Sequence, residues 1–134
     1  MVRVFSAQTI LAPGLVAGLA ACGEAEEQQT FFAPDYQGAT AESLDTDLAQ
    51  VLVQMEGARG PGDVTDYAQC AVAAFAVSEG LGYARHLRTN IDEEAGVWRA
   101  DAVYTVSPEQ PRGLQTIDAK ATVAECLELG IPTV

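Results

Sequence analysis

The chain has 134 residues, 49% of them hydrophobic, and carries 19 acidic against seven basic side chains for a net charge of −12. That length holds one domain around a single core. So acidic a chain excludes nucleic acid, whose phosphates need clustered Lys and Arg, and a polybasic contact with anionic lipid; a basic partner protein or plain solubility fits it.

Residues 1–21 hold one charge, Arg3, and from Val4 to Ala21 an apolar run broken by Pro13-Gly14. A membrane-spanning helix wants roughly 20 predominantly apolar residues. A positive start, a short apolar stretch and small residues before a cut are the pattern of a secretory signal. Leu19-Ala20-Ala21-Cys22 resembles the lipobox of bacterial lipoproteins. The resemblance covers the first 23 residues. It implies cleavage before Cys22, lipidation of the Cys22 thiol and acylation of the new terminus, so that several chains give a stable membrane anchor. Gly23 stands where an aspartate often retains such proteins at the inner membrane, which favours the periplasmic face of the outer membrane. Losing Arg3 with the leader takes the side-chain charge from −12 to −13.

In an oxidising envelope, Cys70 and Cys126 are an even pair whose default is a disulfide. Closing so long a loop is worth about 4 kcal/mol in the chain-entropy account. A redox pair is the alternative, without a Cys-x-x-Cys spacing to lower a thiol pKa.

Residues 22–39 read as the acylated cysteine and a tether, with Phe31, Phe32 and Tyr36 available to dock it onto a domain spanning 40–134. Over 40–56, Leu44, Leu48, Val51, Leu52 and Met55 fall at helical spacing behind Thr40 as cap, predicting a first helix that ends at Gly57-x-x-Gly60-Pro61-Gly62. A second helix follows Asp63 or Thr65, with Tyr67, Cys70, Ala71, Ala74, Phe75 and Val77 on a wide apolar face; its alanines imply close approach to another element. The period then changes to two. Tyr83–Asp92 and Val97–Ser107 form a hairpin across Glu93-Glu94-Ala95-Gly96, with Trp98 and Tyr104 facing the core. Were the sheet's other face open, Val97 and Val103 would be contact candidates. Leu114–Ala121 alternates as a third strand beyond Pro108 and Pro111. Thr122 and Glu125 match a capping box for a last helix ended by Gly130, with Pro132 beyond. The expectation is a two-layer α+β domain: two N-terminal helices, a three-stranded antiparallel meander and a short C-terminal helix.

Chemistry-bearing residues are few. His86, the single histidine, falls with Arg88 on the polar face of its strand, and Arg99 joins them from the opposing strand. These three are the candidate binding residues, as an anion or carboxylate subsite, or else the arginines pair with Asp92 and Asp101. No catalytic set, metal-ligand pattern or cofactor motif is legible; Asp45-x-Asp47 lacks the other ligands of a calcium loop. The composite expectation is a small acidic envelope lipoprotein, anchored in the membrane and serving an envelope protein partner as a binding or accessory module. The alternatives are an inhibitor of a basic envelope hydrolase, and a small enzyme or ligand binder using the His86/Arg88 face.

Overall fold

The computed structural model describes Gly14, residues 32–113 and residues 115–134. The leader apart from Gly14, Cys22 with the tether up to Phe31, and Leu114 lie outside the described residues. The described residues from Phe32 onward form one compact unit. Its elements are β1 (Asp35–Asp45), β2 (Leu48–Glu56), α1 (Pro61–Ser78), β3 (Tyr83–Glu94), β4 (Val97–Ser107), β5 (Thr116–Asp118) and α2 (Ala119–Leu129). The five strands make one antiparallel sheet in the order β1-β2-β4-β3-β5, curled into a half-barrel with two helices.

This corrects the expected architecture of two N-terminal helices and a three-stranded meander. The segment predicted as a first helix is the β1–β2 hairpin. Along β2, Ala49, Val51, Val53 and Met55 are 0–4% exposed while Leu52 between them is 48% exposed, a period of two that buries one face. The helical stripe drew on Leu44 and Leu52, which both point to solvent. β-branched Val51 and Val53 suit the strand, and the turn is chemically fixed. Asp45 Oδ1 accepts from the Thr46 N–H at 2.7 Å, and the Ser43 hydroxyl donates to the Asp45 carbonyl at 2.8 Å. β1 also begins at Asp35, inside the segment read as tether.

The new hairpin displaces β5. β4 has two edges, and β2 and β3 occupy both. The chain therefore returns beyond β3, where only Thr116–Asp118 pair, with Arg85, Ala84 and Tyr83. The expected strand over 114–121 shrinks to three residues because a helix starts at once. The Asp118 side chain accepts from the Ala121 N–H at 3.1 Å, so Asp118 is the cap in place of Thr122. At the other end Gly130 takes φ 71°, and the Ile131 N–H reaches the Cys126 carbonyl at 2.9 Å.

α1 lies across the inner face of the sheet. Pro61 opens it, and its N-cap, Gly60, offers no side chain. Ala68, Ala71, Ala73 and Ala76 are fully buried, so the helix backbone comes close to strands that are themselves alanine-lined at Ala84, Ala100 and Ala102. Val51, Met55, Val64 and Val72 fill the remaining space at 0% exposure, each worth roughly 1.5–3 kcal/mol in transfer terms. Cys70 of α1 is bonded to Cys126 of α2, Cα–Cα 6.0 Å, which fastens α2 to α1. Where β1 meets α1, Arg59 stacks on Phe32 at 3.9 Å, Tyr36 meets Tyr67 edge-on at 4.8 Å, and Arg59 makes a two-pronged pair with Asp63. Among the described residues no helix is long and apolar enough to cross a membrane.

Candidate functional site

β3 does not alternate throughout. His86 pairs with Tyr104 and Arg88 with Val103, so Leu87 is an extra residue without a partner on β4. Such a bulge shifts the strand's facing by one residue. Before it, Ala84 and His86 face inward; after it, Thr89 and Ile91 do, opposite Ala102 and Ala100. A regular strand would have turned Thr89 outward and kept Arg88 beside His86. The bulge reverses both placements. His86 Nε2 and Thr89 Oγ1 meet at 2.6 Å, and the imidazole lies edge-on to Tyr104, centroids 5.4 Å apart.

The pair sits at the mouth of a cleft of about 420 Å³ between α1 and the β3–β5 end of the sheet. Thr65 and Gln69, one turn apart on α1, line one wall; His86, Thr89 and Tyr104 line another; Gln115, Thr116 and Ile117 close the third. The Thr65 hydroxyl donates to the Pro61 carbonyl at 3.0 Å, leaving its oxygen lone pairs to accept. Tyr104 is 1% exposed, and burial pushes its phenol up to about 12, so it is a neutral hydrogen-bonding group at any physiological pH. Thr116 Oγ1 is buried without a hydrogen-bond partner. Gln115 holds φ at 69°, a left-handed conformation that costs a non-glycine residue energy and concentrates at functional loops.

The expected binding face built from His86, Arg88 and Arg99 is thus divided between two surfaces. Arg88 and Arg99 lie on the outer face, opposite α1. There Arg88 is 3.7 Å from Asp101, whose carboxylate also accepts from Gln50 at 3.0 Å. Arg99 Nε donates to Gln54 Oε1 at 3.0 Å, and Gln54 donates in turn to Gln37 at 2.6 Å. Arg88 thus lies near Asp101, one of the two carboxylates weighed from sequence, whereas Arg99 bonds the neutral amide of Gln54. Val103, flanked across the strands by Gln50 and Arg88, is 7% exposed, whereas Leu52 is 48% exposed. Arg99 and Asp92 border an open groove of about 670 Å³ over this face.

Beside the cleft, Asp66, Gln69 and Glu125 line a smaller hollow of about 130 Å³ along the disulfide. Burial, then Asp63 and Glu125, hold the Asp66 carboxyl above the usual range, while Asp63 is lowered by its hydrogen bond from Arg59. Among the described residues no cluster of three or more metal-ligating side chains occurs.

Sequence reasoning offered Thr65 only as a helix start and did not single out Gln69, Thr89 or Gln115. One signal was available: Thr65 and Gln69 are polar at i,i+4 on an alanine-rich helix, a spacing that aligns them on one side. The bulge had no such signal, since Leu87 continues the alternation.

Residues 36–130 match the family described as the YNQ4 C-terminal domain, and the chain belongs to that family. A relative from Paracoccus denitrificans, named an uncharacterized 26.9 kDa protein in the nqo8 5′ region, is 35% identical over 104 residues. The alignment takes in 73% of this chain and 41% of that protein, so the chain spans less than half of the relative's length. No solved structure matches it.

Proposed function

Taking this chain as a YNQ4 C-terminal domain, we propose that it is a lipid-anchored binding module of the cell envelope that works by recognition and not by turnover. The observation that carries the recognition half is the cleft. Four elements bring hydroxyls, amides and one imidazole to a single concave site, the inventory of a pocket that selects by hydrogen bonds. The bulge at Leu87 turns Thr89 to the side of His86, and Gln115 lines the same cleft from a left-handed backbone conformation. The anchoring half rests on Leu19-Ala20-Ala21-Cys22.

A second reading is carried by the outer face, where exposed Leu52 is ringed by Gln50, Gln54 and Asp101. An apolar centre with a polar rim is the layout of a protein contact, and a partner there would make the chain an accessory subunit.

Recovery of the tagged full chain from membranes of its natural host, with and without crosslinking in intact cells, tests both readings. The cleft reading expects a small molecule that co-elutes with the wild type and is lost from Thr89→Val and Gln69→Ala. The accessory reading expects instead one stoichiometric protein, lost from Leu52→Asp. A chain recovered with neither, in unaltered yield, contradicts the binding function. For the anchor, Cys22→Ala should abolish membrane attachment; unchanged attachment and mature mass would refute it.

A further inference from the structure

Resting on the cleft reading above, we infer that the ligand is an uncharged, hydroxyl-bearing small molecule of the saccharide or polyol class. Charge selects first. The cleft is lined by Thr65, Gln69, His86, Thr89, Tyr104 and the 115–117 segment, which supply no carboxylate, guanidinium or ammonium group. The arginines of β3 and β4 are directed elsewhere. Arg88 approaches Asp101 and Arg99 binds Gln54 on the far side of the sheet, while the Arg85 guanidinium sits against Gly113. An anion would therefore meet no fixed positive charge inside a chain of net charge −12, where clustered basic groups are what phosphate or carboxylate recognition requires. A cation lacks its counterpart too, because Asp63 is engaged by Arg59 and Asp66 lines the neighbouring hollow along the disulfide and not the cleft.

Hydrogen-bonding character selects second. Hydroxyls and primary amides each donate and accept, as alcohol groups do, so a ring of Thr, Gln and Tyr complements a polyhydroxylated edge whichever way each hydroxyl rotates. Thr65 presents lone pairs because its proton is committed to the Pro61 carbonyl. Tyr104, which lines the cleft, presents a phenol that is neutral at physiological pH in any setting. His86 and Thr89 already grip each other at 2.6 Å, so the mouth of the site is ordered before anything enters. The edges of the His86 and Tyr104 rings, with Ile117, offer an apolar margin for C–H surface. The space, about 420 Å³, is at the scale of a small-ligand pocket.

The test titrates the isotopically labelled full chain in mild detergent with cellobiose, maltose and N,N′-diacetylchitobiose, with inorganic phosphate and putrescine as charged comparators. The inference expects saturable shifts at the amides of Thr89, Tyr104 and Gln115 with at least one disaccharide and none with the charged probes. Affinity should fall at least tenfold in Thr89→Val, and the outer-face variant Gln54→Ala should leave it unchanged. Shifts confined to phosphate or putrescine at those same amides would overturn the uncharged class while leaving the cleft a binding site. Silence at the cleft with all five probes would overturn the saccharide class, the binding function itself being decided separately by what the chain carries out of its host. Disaccharide shifts confined to the outer face would overturn the assignment of this ligand to the cleft.

Discussion

The two faces of one sheet are built from the same strands and behave as different materials. Inward, β2 and β4 present Val51, Val53, Met55, Ala100 and Ala102, which α1 covers, and the layer opens at a cleft lined by α1, β3, β4 and β5. Outward, the same strands present Gln50, Gln54, Arg99 and Asp101, which satisfy one another across strands and stay wet. The inner face is shape-filled and holds its polar groups in a cleft. The outer face is charge-balanced and holds its polar groups in pairs. A single extra residue, Leu87, decides which side chains of β3 join which population.

Truncation on adjacent sides of β2 breaks the comparison most severely. Met55→Ala, at 0% exposure, should cost about 2–5 kcal/mol in denaturant unfolding. Leu52→Ala, nearly half exposed, should change stability by less than about 0.5 kcal/mol. Equal losses at the two positions would mean the strand's facing is misassigned. Replacing both Cys70 and Cys126 by alanine releases α2 from α1 and should cost about 2–4 kcal/mol, with the cleft walls on β3 and β4 intact by chemical shift.

A smaller effect belongs to pH. Tyr104 titrates near 12 when folded, above its ordinary 10.0. A folded value raised this way gives stability that is whole below the unfolded value and drains away as pH rises from about 10 toward 12. Tyr104→Phe should therefore flatten the loss of thermal stability in that alkaline window and remove the last step of the phenol absorbance titration. Persistence of that step would place the most shielded phenol elsewhere.

The smallest effects lie at the surface. Arg99→Ala, which cuts the outer network, should alter unfolding free energy by less than about 1 kcal/mol. Asp66→Asn should raise Tm slightly at neutral pH. The Asp66 carboxyl is held above 3.8, chiefly by burial, so its charge is a cost once ionised, and the gain should fade as acid protonates the wild type.

Legibility followed how strongly each element depends on its own residues. α1 was readable because eighteen residues of helix bury a face set by Tyr67, Cys70 and Ala71, and the β3–β4 hairpin because its period of two is sustained to an Ala95-Gly96 turn with both φ positive. β1–β2 was misread because exposed Leu44 and Leu52 completed a false helical stripe, while the true inner set included Ala49, too small to announce itself. The place of β5 followed from that error, since only a β2 already beside β4 forces the last strand to the far edge of β3. His86 stood out in the sequence as the single imidazole, but the residues the fold places beside it, such as Thr89 and Gln69, did not. A bulge is a property of the pairing, and one strand read alone carries no trace of it.

The account turns on the facing of β3, and nuclear Overhauser contacts in the folded chain measure that directly. The account predicts contacts from the His86 ring to Tyr104 and from the Thr89 methyl to both His86 and Ala102, with Leu87 making none to the inner strand residues. Contacts from the Leu87 methyls to Tyr104 or Ala102, with Thr89 on the side of Arg99, would contradict it and dissolve the cleft as described.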